Sequence, residues 1–139
     1  MSGDRSTVYI STYIERPISS AEVKALYDSE PWWPERTVSD IEQMLLENIS
    51  VGAWDGRKLV GFCRSVGDGR FRAYVEDVLV LQSYRRSGIG TRLLGRLLEE
   101  LEHIDVITLF CRPRLEPFYQ KLDFKHFTKQ IVMHRRNHG

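Results

Sequence analysis

The chain has 139 residues, 42% hydrophobic and 28% charged, with 20 Lys plus Arg against 19 Asp plus Glu and a net charge of +1 at pH 7. That is the length of one domain, residues 1–139, large enough to bury a core without disulfide or metal staples. The near-neutral balance argues against bulk electrostatic capture of nucleic acid or of a membrane surface, both of which favour strongly basic chains. Cys63 and Cys111 share no metal-type spacing, so no zinc or other metal site is expected, and both read as reduced, buried thiols. The opening "MSGDRSTVYI" lacks the apolar core of a secretory leader, and no apolar run approaches the ~18 residues of a membrane span, so a cytoplasmic location is expected.

In chain order, "VYISTYI" at 8–14 is rich in β-branched and aromatic residues and reads as a strand. Ser19 with Glu22 has the spacing of a capping box, and Val23, Leu26 and Tyr27 follow at helical intervals. Pro31 and Pro34 in "EPWWPE" break that helix, and a second starts near Thr37 or Ser39 with Ile41 and Leu45 on its apolar side. A short strand "SVGAW" leads through the hairpin signal Asp55-Gly56 into "KLVGFCRSV". "GDG" at 67–69 reads as another hairpin turn, into the long strand "FRAYVEDVLVL". A helix over about 88–102 carries Leu93, Leu94, Leu97, Leu98 and Leu101 as a stripe. "IDVITLFC" has the continuous apolar character of a strand buried on both faces; a short helix with "LEPFYQKL" follows, and "KHFTKQIVMH" reads as a closing strand. The order β-α-α-β-β-β-α-β-α-β describes one layered α/β (α+β) domain.

"RRSGIG" at 85–90 stands where a strand turns directly into a helix. A helix start presents unpaired amides and the positive end of the dipole, and glycines at 88 and 90 let the backbone approach a ligand, so the turn has the makings of an anion nest. Spacing alone leaves open that the glycines only permit a tight turn. The P-loop pattern is absent and no third glycine completes G-x-G-x-x-G, which counts against nucleotide hydrolysis and hydride transfer.

Three stretches in register resolve this ambiguity by resemblance. "RRSGIG" is similar to the Q/R-x-x-G-x-G/A signature of the GNAT superfamily of acyl-CoA N-acyltransferases. "VEDVLV" resembles that family's central strand, and "FYQKLDF" at 118–124 its F-Y-x-K-x-G-F segment. The resemblance implies a mixed sheet of six to seven strands, splayed in the middle, with helices on both faces. It implies acetyl-CoA as co-substrate, no metal, and transfer of an acetyl group to a primary amine of a small molecule, protein or peptide, by direct attack in a ternary complex. It also allows a homodimer.

Carried over residue by residue, the resemblance assigns the pyrophosphate to the amides of Arg86, Ser87, Gly88, Ile89, Gly90 and Thr91, with Arg85 and Arg86 adding charge. It assigns the pantetheine arm to the backbone of Val78, Leu79 and Val80. Tyr119 matches the tyrosine that assists departure of the CoA thiolate, as a phenol can at neutral pH. Glu76 falls where many members place the base for the ammonium substrate, and Asp77 is a candidate substrate anchor. Strand alternation would send the two side chains to opposite faces. Either carboxylate could instead be a buried ion pair. Trp32 and Trp33 lie where members line the acceptor pocket. Pro113 and Glu116 depart from the family pattern, and Asp123 replaces its glycine, a substitution aspartate tolerates in a left-handed turn. A non-catalytic acyl-CoA-binding or sensing module of the same fold is the alternative reading.

Overall fold

The computed structural model describes residues 7–30 and 34–138. Its elements are β1 (Tyr9–Thr12), α1 (Ser20–Asp28), α2 (Val38–Glu47), β2 (Ser50–Asp55), β3 (Lys58–Gly67), β4 (Arg72–Val80), α3 (Ile89–Glu100), β5 (Val106–Leu109) and α4 (Glu116–Gln120). The sheet keeps chain order, β1-β2-β3-β4-β5, antiparallel throughout except for the parallel β4–β5 pair. Among the described residues no helix is long and apolar enough to cross a membrane.

Local chemistry starts these elements where the sequence places the signals. Thr37 closes a reciprocal capping box with Asp40 at the start of α2. Ser19 caps α1 by accepting from the Glu22 amide at 3.3 Å, but the box expected there is only half built. Glu22 turns its carboxylate to the Leu59 amide instead, at 2.9 Å, and so ties α1 to β3. Asp55-Gly56 makes the β2–β3 hairpin, with Gly56 at φ +61. The "GDG" stretch is not a two-residue hairpin. Asp68 Oδ1 gathers the amides of Arg70, Phe71 and Arg72 at 2.9, 2.7 and 3.2 Å, which widens the turn before β4 begins.

Two apolar layers cover the sheet. The leucine stripe of α3 (Leu93, Leu94, Leu97) packs with Val51, Ala53, Cys63 and Val75. Val23, Leu26 and Tyr27 of α1 with Ile41 and Leu45 of α2 pack with Phe62 and Leu79. Strand alternation sends neighbouring residues such as Phe62 and Cys63 into different layers, so helices flank both faces.

The far edge departs from expectation. Residues 125–138 form no strand, so the described sheet has five strands rather than six or seven. β5 is therefore an outer strand with Val106 exposed, not a strand buried on both faces. Phe127, Ile131, Val132 and Met133 are exposed as well. Residue pattern reports readiness to extend, whereas a strand needs a ladder partner, and the pattern does not name one. Cys63 is buried as expected, but Cys111, just past this edge, is exposed.

Candidate active site

The site is built around a place where the sheet opens. β4 and β5 pair from Arg72↔Val106 to Val75↔Leu109 and no further. β4 runs on through Glu76 to Val80 with only β3 beside it. On that remaining side the register slips between Phe62 and Arg64, because β4 carries one residue too many, a β-bulge. Asp77 lies in the bulge and takes a left-handed φ of +56. Glu76 is thus the first β4 residue beyond the β5 ladder and the last before the bulge.

The bulge overturns simple alternation for the acidic pair. Glu76 is the register partner of Arg64, and Asp77 Oδ2 accepts from Arg64 Nε at 2.6 Å, so both carboxylates lie toward the α1–α2 side. Asp77 Oδ2 also accepts from the Tyr27 hydroxyl at 2.7 Å and pairs with Arg36 Nη1 at 3.3 Å. The Asp77 side chain is only 4% exposed. It is the buried ion pair rather than a carboxylate presented to a substrate. Glu76 is half-buried, and among the described residues no hydrogen bond or ion pair engages its carboxylate. Burial first, and the Asp77 charge second, raise its pKa above the usual glutamate value, while Arg64 and Arg36 pull the other way. The shift favours a carboxyl able to exchange a proton.

Beyond Val80 the chain folds tightly into the start of α3. Tyr84 donates its amide to Leu81 O at 2.8 Å and its hydroxyl to Asp55 on the β2–β3 hairpin, while Ser87 Oγ donates to Tyr84 O. Gly88 caps α3 at φ +85 with no side-chain cap, and a Cβ there would meet nothing within 4 Å. The Arg92 amide donates to Gly88 O at 3.1 Å, so the amides of Ile89, Gly90 and Thr91 come before the first intrahelical bond. This open, dipole-positive cradle fits an anionic phosphate group. Gly90 differs, because a Cβ there would make ordinary contact with the Phe118 ring at 3.4 Å. Arg85 is already engaged, by Val80 O through Nε at 2.9 Å and by the Glu30 carboxylate. Arg86, at φ +62 and exposed, is the arginine turned to solvent.

Tyr119 lies on α4. Its ring stands edge-on to Phe118 and Phe124, with centroids at 5.0 and 6.1 Å, and these three pack against the α3-side core. Burial, then the neighbouring Cys111 and Cys63 thiols, push its pKa up to about 12, so it keeps its proton at neutral pH. Asp123 holds φ +68, the left-handed turn expected for the family glycine, and Phe124 N donates back to Tyr119 O at 3.2 Å.

The expected acyl-CoA residues 78–80 lie on the end of β4 beyond the β5 ladder, and residues 85–91 follow the turn at Gln82–Tyr84 into α3. Trp32 and Trp33 lie outside the described residues. The sequence reading missed Tyr27, Arg36 and Arg64, which stand 50, 41 and 13 residues from Asp77 and leave no local signature. Among the described residues no group of three or more His, Cys, Asp or Glu could hold a metal ion.

Comparison with known proteins agrees with this geometry. The model of the acetyltransferase (GNAT) family matches residues 18–124. The chain is 34% identical over 98 residues to GCN5-related N-acetyltransferase 1, chloroplastic, of Arabidopsis thaliana, a match covering 66% of this chain and 49% of that one. It is 30% identical over 125 residues to an uncharacterized N-acetyltransferase of Pyropia yezoensis, covering 84% and 70%. The chain thus spans about half the length of the Arabidopsis relative. A GNAT-family acetyltransferase structure from Streptococcus pneumoniae superposes with a TM-score of 0.76 at 28% identity, over 94% of this chain and 100% of that one. The splayed β4–β5 pair, the glycine-opened start of α3 and a family match over most of the length have one reading: the chain belongs to the GNAT family of N-acetyltransferases, which draw on acetyl-CoA.

Proposed function

We propose that the chain, as one domain over residues 1–139, transfers the acetyl group of acetyl-CoA to a primary amine by direct attack in a ternary complex. One observation carries this reading: β4 parts from β5 after Val75, runs on unpaired on that side to Val80, and the chain then turns through residues 81–87 into the open helix start at Gly88. An extended thioester fits such a path, with its arm along Val78 and Val80 and its pyrophosphate on the amides of residues 86–91. The Val80 carbonyl is already held by Arg85, and Leu79 faces its ladder partner Phe62 on β3, so Val78 and the Val80 amide are the better backbone partners.

The chemistry then falls to two side chains. An ammonium acceptor must lose a proton before its nitrogen can attack the thioester carbonyl carbon. Glu76 takes that proton, directly or through a water, and its half-buried carboxyl with raised pKa is suited to do so. As the C–S bond breaks, Tyr119 gives its proton to the departing thiolate, and a phenol still protonated at neutral pH supports that role. Two unpaired cysteines, one buried and one exposed, are compatible with a reducing compartment such as the cytoplasm.

The test is release of free CoA thiol from acetyl-CoA against a panel of amines, amino acids, polyamines and peptides. Thiol release stimulated by at least one amine is expected. Tight acetyl-CoA binding with no acceptor-dependent turnover would instead identify a binding or sensing module.

A further inference from the structure

The buried cluster around Asp77 remains unexplained by this chemistry. Asp77 holds φ +56, a left-handed conformation that Asp and Asn adopt more readily than other side chains. Three donors from three separate segments converge on one of its oxygens: Tyr27 from α1, Arg36 from the chain just before α2, and Arg64 from β3. The Arg36 guanidinium also lies 5.1 Å over the Tyr27 ring, so the donors support one another. Two of the three donors are arginines, so the bonds that fix Asp77 in the bulge are charge-assisted. What the bulge does locally is set the chain direction immediately after Glu76.

We propose that Asp77 is a positioning residue: its bonds to Arg64, Arg36 and Tyr27 hold the β4 bulge that aims Glu76 at the strand opening and tether the α1–α2 side to that same point. The inference rests on the reading of Glu76 as the proton acceptor. It assigns work to four residues, Tyr27, Arg36, Arg64 and Asp77, that never meet the reacting atoms. The charged groups facing Glu76 are Asp77 on its own strand, Arg64 from β3 and Arg36 from before α2, while the Tyr27 phenol caps the cluster from α1. Asp77 and the two arginines act on the Glu76 carboxyl with opposite sign.

That opposition supplies the test. Asparagine accepts the left-handed conformation as readily as aspartate, so D77N removes the charge and spares the backbone. R36Q removes one cation from a partly exposed site. The Glu76 side-chain carboxyl is titrated by carbon-13 NMR in the parent, D77N and R36Q, with its resonance assigned by its loss in E76Q. The expected result is a Glu76 midpoint that moves down in D77N and up in R36Q. Calorimetry with acetyl-CoA should give the parent affinity in both variants, while D77N loses turnover on the order of tenfold to a hundredfold through misplacement of its neighbour. A Glu76 midpoint that stays put, or moves the same way in both variants, overturns the proposal, as does a D77N variant that weakens acetyl-CoA binding as much as turnover. If D77N does not fold, the upward shift in R36Q decides alone. Full turnover in E76Q would remove Glu76 as the base, whereas an unmoved midpoint in D77N would remove only Asp77's role.

Discussion

Gly90 lies against the ring of Phe118, and this contact links the start of α3 to the helix that carries Tyr119. The added Cβ of alanine would sit at 3.4 Å, an ordinary contact, so G90A should keep the parent melting temperature or gain slightly, up to about 1 kcal/mol, from better helix propensity. A leucine there must displace Phe118 and should cost about 1–3 kcal/mol through overpacking. Thermal denaturation with a thiol-release assay checks both, and turnover should fall in G90L and not in G90A.

Gly88 makes the opposite case, because nothing blocks a side chain there except the backbone angle itself. G88A should lose about 1–2 kcal/mol to the left-handed strain. Its methyl group would also project where the phosphate is placed, so acetyl-CoA affinity should drop. Gly56 provides a matched control, since it too has a positive φ and open space. G56A should lose comparable stability and keep its affinity in calorimetry. Equal affinities in G88A and G56A would sink the phosphate-nest assignment.

Tyr119→Phe keeps the ring that packs between Phe118 and Phe124 and deletes only the hydroxyl. The melting temperature should hardly move and the acetyl-CoA Kd should stay put. Turnover should fall by about 10²–10⁴, the usual worth of a positioned general acid. With its pKa pushed up to about 12, Tyr119 should contribute no alkaline limb to the rate profile near neutral pH.

For Glu76 the sign is worked through its raised pKa. A base acts ionised, so the rate should fall as pH drops through the Glu76 pKa, beginning at a higher pH than for an ordinary glutamate. E76Q should lose that limb together with most of its turnover. The same shift has a stability counterpart. A carboxyl that holds its proton more tightly in the folded state contributes stability at low pH, and this is lost as pH rises through the folded pKa. E76Q should therefore melt above the parent at neutral pH, and the gap should close in acid. A constant gap across pH would show that Glu76 is not electrostatically burdened.

Much of this was legible before any coordinates, and what was legible was local. Asp55 with Gly56 and the leucine stripe of α3 each act over a few residues, and the hairpin and the helix form where they stand. The helix start at Gly88 and the left-handed turn at Asp123 belong to the same class. Apart from the half-built box at Ser19 and the wider turn at Asp68, the losses are non-local. A strand over the last residues needed a partner that pattern cannot name. The faces of Glu76 and Asp77 depended on a bulge without a glycine to betray it. The only local hint was two consecutive acids in an apolar strand, a pair that alternation would force partly into the core. Arg85 read as a phosphate escort because its real partners, Glu30 and Val80 O, are brought to it by the fold.

The sheet order repeats the chain order, and this has a consequence for how the molecule assembles. Strands β2, β3 and β4 pair with their sequence neighbours across short connections, and such contacts close quickly. The β4–β5 pair is parallel and must wait for α3 to cross over and dock. In a refolding experiment the antiparallel half should therefore gain protection from hydrogen exchange first. The gap beside Glu76 comes into being only when the second wall arrives, so binding competence should be the last property the chain recovers.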